Sequence, residues 1–172
     1  MAKKKKTKIP RRLRKKFQKR KMSKQIIEES RKRLLEKAKT NPLAGTIEVA
    51  DDPPAKKKMS DVIITYAAPL LAKAASREDQ RTALHMAVWF WNYTLMSPDA
   101  QSEEKAIMDK RIRAGERSRE AIRLIEETLP YMVERKKELF SDNQQVITDY
   151  EIVDTPEGVG LSVAYAMRKD RK

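Results

Sequence analysis

Fourteen basic side chains and not one acid fall within residues 1–24, among them Lys3, Lys4, Lys5, Lys6 and Lys8 and the run Arg11, Arg12, Arg14, Lys15, Lys16, Lys19, Arg20 and Lys21. Cations at that density repel one another as a chain compacts, so the stretch is unsuited to a protein interior and is drawn to a polyanion instead. The imbalance ends near residue 58. Residues 1–58 carry 22 Lys/Arg against 6 Asp/Glu, a net of +16, and residues 59–172 carry 17 against 19, a net of −2. The formal +14 of the chain therefore describes a basic arm joined to a nearly neutral domain.

That division sets the expected organisation. Residues 1–22 hold only Ile9, Leu13 and Phe17 as sizeable apolar groups besides the methionines, too few to offset the entropy of ordering, and are expected to be disordered when free. Leu13 and Phe17 are four residues apart and share a face if the segment becomes helical against phosphates, as arginine-rich segments do. A helix is expected over 23–39, with Ser23 as N-cap and a stripe of Ile26, Ile27, Leu34, Leu35 and Ala38 that Ser30 and Arg31 interrupt. Such a helix either docks on a partner or packs back on the domain. Residues 40–58, with Pro42, Gly45, Asp51, Asp52, Pro53 and Pro54, read as a linker.

Residues 59–172 are long enough to bury roughly 65% of their unfolded surface, and their periodicity is helical up to residue 140. Val62, Ile63, Tyr66, Ala67, Leu70 and Leu71 repeat at three- and four-residue intervals behind Ser60, a candidate N-cap, with a kink expected near Ala68 from Pro69. The segment around 77–96 is apolar on nearly its whole circumference, which suits a central core helix; Trp89, Tyr93 and Met96 are its candidates for a protein interface. Ser97–Pro98 opens the next helix. The stretch from Lys110 to Arg123 interleaves bases with acids and reads as a solvated face, with a second nucleic-acid face as the alternative. A last helical stripe, through Ile125, Leu129, Met132 and Phe140, is bent or restarted at Pro130.

Beyond Asn143 the period becomes two. Val146, Thr148, Tyr150 and Ile152 fall on one face of a strand, and Leu161, Val163, Tyr165 and Met167 on one face of another, with Asp154, Thr155, Pro156, Glu157 and Gly158 supplying the turn. The fold class is thus mainly α with a C-terminal β-hairpin at about 145–168 (α+β), a small helical domain preceded by a long basic, partly disordered N-terminal arm. A hairpin alone is marginal in water and should pack on the helices or join a partner's sheet.

The chemistry that the chain lacks narrows its function. With no cysteine and a single histidine, His85, disulfides, zinc sites and Cys/His or Ser/His nucleophile systems have no ligands to draw on. Four glycines, at 45, 115, 158 and 160, form no phosphate-cradling loop. No cofactor and no catalysis are expected. An apolar run long enough to span a bilayer is missing, as is a secretory signal, so integral membrane association is not expected and the expected location is cytoplasmic; in a eukaryotic host the basic run would also suit nuclear import.

These observations point to a non-catalytic nucleic-acid-binding protein, RNA being favoured over DNA because no helix-turn-helix or other DNA-reading pattern is evident. A Lys/Arg extension on a small neutral domain is the general plan of ribosome-associated proteins, an analogy of composition alone. Lys3, Lys4, Lys5, Lys6, Lys8, Arg11, Arg12, Arg14, Lys15, Lys16, Lys19, Arg20 and Lys21 are the expected phosphate contacts. The alternative is a protein–protein adaptor whose helical domain binds a partner and whose arm is a localisation or membrane-surface tether.

Overall fold

The computed structural model describes residues 11–40, 58–113 and 119–167. Among them run six helices and one hairpin: α1 (Arg11–Thr40), α2 (Met59–Tyr66), α3 (Ala68–Leu71), α4 (Arg77–Thr94), α5 (Pro98–Arg113), α6 (Arg119–Phe140), β1 (Gln145–Thr155) and β2 (Gly158–Met167). The mainly helical class with a C-terminal hairpin is what the periodicity implies. Lys3, Lys4, Lys5, Lys6 and Lys8, the linker beyond Thr40 and the basic C-terminal residues lie outside the described residues.

The hairpin is the middle layer. Its strands pair antiparallel from Gln145↔Met167 to Thr155↔Gly158, and both faces are covered. One face meets α2 and α4, where Leu161, Ile147, Tyr150, Ile152 and Val163 join the core. The other carries α1. Coverage on both sides removes the marginality of an isolated two-stranded ribbon.

The core is built around α4. Trp91, Phe90 and Ala87 on α4 are fully buried with Tyr66 of α2 and Met132 of α6. Tyr66 meets Trp91 edge-on at 5.4 Å between ring centroids, and Phe140 closes the cluster at 5.7 Å from Trp91. The polar tips of these rings are satisfied as burial requires: the Tyr66 hydroxyl donates to Met132 O at 3.0 Å and Trp91 Nε1 to Gln145 O at 2.8 Å. Burial drives the Tyr66 hydroxyl far above its ordinary pKa, so it stays a donor. α4 starts on a capping box, Ser76 Oγ accepting from the Asp79 amide at 3.0 Å while the Asp79 carboxylate accepts from the Ser76 amide at 2.9 Å. The Pro69 kink separates α2 from α3 at Ala67.

Several local expectations are corrected. α1 starts at Arg11, twelve residues before Ser23, so residues 11–22 are helical where disorder was expected. Lys, Arg, Gln, Leu and Met are good helix formers, and the costly nucleus is already provided by the docked half of the helix, onto which each added residue contributes one hydrogen bond. Ser23 is accordingly no cap; its hydroxyl donates to Lys19 O at 3.0 Å inside the helix. Nor does Ser60 cap α2, which begins one residue earlier at the buried Met59. Pro130 leaves α6 continuous. In β1 a bulge between Ile147 and Asp149 inserts Thr148, so Ile147 rather than Thr148 enters the core; one extra residue reverses which parity faces inward.

Candidate nucleic-acid interface

The basic run becomes a structural feature through the way α1 is held. Its apolar stripe closes on the hairpin: Leu34 is buried, Ile26 and Ile27 are half-buried, and Ser23 and Ser30 lie beneath the helix. Ser30, an interruption of the stripe in sequence, is fully buried; a small residue there allows close approach to the ribbon. Gly160 and Ser162 answer from β2. An added Cβ at Gly160 would stand 3.0 Å from Ile27 Cγ1, and Ser162 Oγ donates to Ile27 O at 3.2 Å.

Ion pairs line the rim of this contact. Arg20 lies 3.6 Å from Glu157 in the hairpin turn, Arg33 forms a two-pronged contact with Glu151 at 2.5 and 3.3 Å, and Lys37 lies 3.9 Å from Asp149. Hydrogen bonding from Arg33 holds the Glu151 carboxyl below its ordinary range, with the charges of Arg33 and Lys37 adding to it. From Arg33 to Lys37 the helix rises about 6 Å, close to the roughly 7 Å that the strand covers between Glu151 and Asp149, while Arg20 reaches the turn. The helix thus runs along the ribbon with its N-terminus toward the turn, and residues 11–19 extend roughly 13 Å past the last of these contacts.

Every residue from 11 to 22 is exposed. The structure therefore brings Arg11, Arg12, Arg14, Lys15, Lys16, Lys19, Arg20 and Lys21 together on one solvent-facing rod. Among the described residues only Arg20 of this set meets a carboxylate. The face that is packed on the hairpin at Ser23, Ile27, Ser30 and Leu34 is continued toward the N-terminus by Arg12, Lys16 and Lys19, which is why the packing stops where it does. From sequence these basic residues are expected to be disordered when free, and the structure has them on a helix.

Trp89, Tyr93 and Met96, the candidates for a protein contact, are half-buried. Trp89 donates from Nε1 to Glu104 of α5 at 3.1 Å and lies against Tyr93 at 5.3 Å between ring centroids. These rings join α4 to α5 within the chain. Among the apolar residues that do face solvent, Leu124, Tyr131 and Leu139 line the outer side of α6, each about half exposed. Their seven- and eight-residue spacing within a charged helix is the signal that would have found them.

His85 and Lys136 have structural partners. His85 Nδ1 and the Tyr150 hydroxyl share a hydrogen bond of 2.8 Å on the surface. Lys136 is buried, donates to Asn143 O at 3.1 Å and lies 4.5 Å from the Trp91 ring centre; desolvation lowers its pKa. Among the described residues no three His, Asp or Glu side chains converge as a metal site would require, and no helix is long and apolar enough to cross a membrane. Comparison with protein-family models, with curated proteins and with solved structures finds no match to the chain.

Proposed function

We propose that the protein is a non-catalytic RNA-binding protein, of the kind associated with ribosomes or other ribonucleoprotein, anchored by the basic N-terminal half of α1 and the lysines that precede it. One observation carries this reading: eight cations between Arg11 and Lys21 stand on an exposed helical segment, in a chain whose residues 59–172 are nearly neutral. Among the described residues all of these cations but Arg20 are without an ion pair, and such cations release counterions from a nucleic acid without first losing interactions of their own. The packed part of the molecule acts as a mount, and burial of Ser23, Ser30 and Leu34 against the hairpin, with ion pairs at the rim, orients the rod.

The test is co-sedimentation with ribosomes and direct RNA binding by the full chain, beside a variant with Arg11, Arg12, Arg14, Lys15 and Lys16 replaced by glutamine. The reading requires association that is lost at high salt and in the variant; association indifferent to both would exclude it. The outer side of α6 favours a second role alongside, contact with a protein through Leu124, Tyr131 and Leu139. Loss of a protein partner on Tyr131→Glu, with RNA binding retained, is its signature.

A further inference from the structure

The distribution of charge around α1 distinguishes among RNA shapes. Taking about 100° per residue, the eight cations from Arg11 to Lys21 surround the helix, with no gap wider than about 60° except one sector of about 100°. That sector holds Leu13 and Phe17, both exposed, Phe17 at 59%. A helix laid on a membrane presents a broad apolar face with cations along the other; here two apolar residues stand among eight cations. A single strand lying along the helix would be met by one side only, leaving the opposite cations without phosphates.

A partner that surrounds the helix would use cations on every side of it, Arg20 alone among them being paired with a carboxylate of the described residues. An α-helix with its side chains is about 10–12 Å across, whereas the major groove of B-form DNA is about 12 Å wide and only about 8.5 Å deep. A helix seated there stands partly outside, and its outward cations face water. The deep groove of an RNA double helix has phosphates on both walls, but it is too narrow for entry unless the stem is opened locally. A bulge or internal loop opens it and leaves an unpaired base, a stacking partner for an aromatic ring such as Phe17.

From this we infer that the partner of residues 11–21 is a bulged or internally looped RNA double helix, entered by the N-terminal turns of α1 as a preformed rod with Phe17 against an unpaired base. The inference rests on the RNA-binding reading above and goes beyond it, because a shape-blind polycation would satisfy that reading equally well. A preformed helix also loses less conformational freedom on binding than a disordered arm.

The experiment is a fluorescence titration of the full chain, at about 0.15 M salt, against four labelled probes of equal phosphate number: a bulged RNA hairpin, the same stem without the bulge, a DNA duplex of the same sequence, and a single-stranded RNA. Two full-length variants accompany it. Gln18→Pro breaks the exposed segment of α1 and retains every charge, and Phe17→Ala removes the ring; circular dichroism verifies that each retains the rest of its helix. The bulged hairpin should bind at least about tenfold more tightly than the other three probes, since only it accepts the preorganised rod. Gln18→Pro should remove that preference and leave single-strand binding unchanged, and Phe17→Ala should weaken the bulged complex by roughly fivefold or more.

Equal affinity for all four probes, unaffected by Gln18→Pro, would overturn the inference and leave the RNA-binding reading standing. Preference for the DNA duplex would overturn the choice of RNA. Failure to bind any probe would remove both.

Discussion

Gly160 and Lys136 show how much a single position carries in this chain. Gly160 sits where α1 crosses β2, and a Cβ there would meet Ile27 at 3.0 Å and Thr155 at 3.2 Å. Gly160→Val should therefore lift α1 from the ribbon and cost about 1–3 kcal/mol, read as a lowered denaturant midpoint. In sequence this glycine passes for turn chemistry beside Gly158, and only its position under Ile27 separates the two. Gly158 is the one with the turn conformation, at φ 136°. Lys136 likewise reads as a cation suited to the last turns of a helix, yet it is buried against Trp91. Its folded pKa lies below the ordinary 10.5, so the unfolded chain binds more protons in the interval between the two values, and there stability rises with pH. Lys136→Met should remove that rise. Urea titrations between pH 7 and about 10 would show the parent chain gaining on the variant as pH increases.

At the scale of elements, α1 combines two behaviours in one helix. The half at residues 23–37 is a wall of the packed unit, clamped by Arg20, Arg33 and Lys37 on Glu157, Glu151 and Asp149. Glu151 has a lowered folded pKa, so its contribution is complete above the ordinary 4.5 and is lost as pH falls through the folded value. The stability difference between the parent and Glu151→Gln should accordingly be constant near neutrality and vanish in acid. The half at residues 11–22 is exposed throughout. Deleting residues 1–22 should leave the thermal midpoint within a few degrees of the parent, because each of residues 11–22 is exposed and changes at exposed positions have small effects; a large drop would show that the rod supports the core. The helical stripes of α2, α4 and α6 were legible because burial imposes a 3.6-residue period. The start of α1 was not, because exposed helix formers have no apolar pattern to announce them and take their order from the docked half.

For the molecule as a whole, the electrostatics predict a steep salt dependence. If the rod and the lysines before it neutralise about six phosphates, log affinity should fall against log salt with a slope of about −4 to −5. Replacing five of the cations by glutamine should flatten that slope, and a slope near zero for the parent would rule out phosphate anchoring. Composition alone was enough to show that the positive charge is concentrated in residues 1–58, and periodicity alone to separate helices from a closing hairpin, because one-sided burial acts through local sequence. Tertiary packing decided the rest. Ser30, Gly160 and Ser162 became a close helix-to-ribbon contact, Thr148 became a bulge, and the aromatic run of α4 became both core and seam to α5. Each depends on a partner more than a dozen residues away in the chain, or across a strand pair. The direction in which the basic rod points belongs to the same class: it follows from packing Ser23, Ser30 and Leu34 on the hairpin, where Arg20, Arg33 and Lys37 also meet acids more than a hundred residues downstream, a distance over which local pattern carries no information.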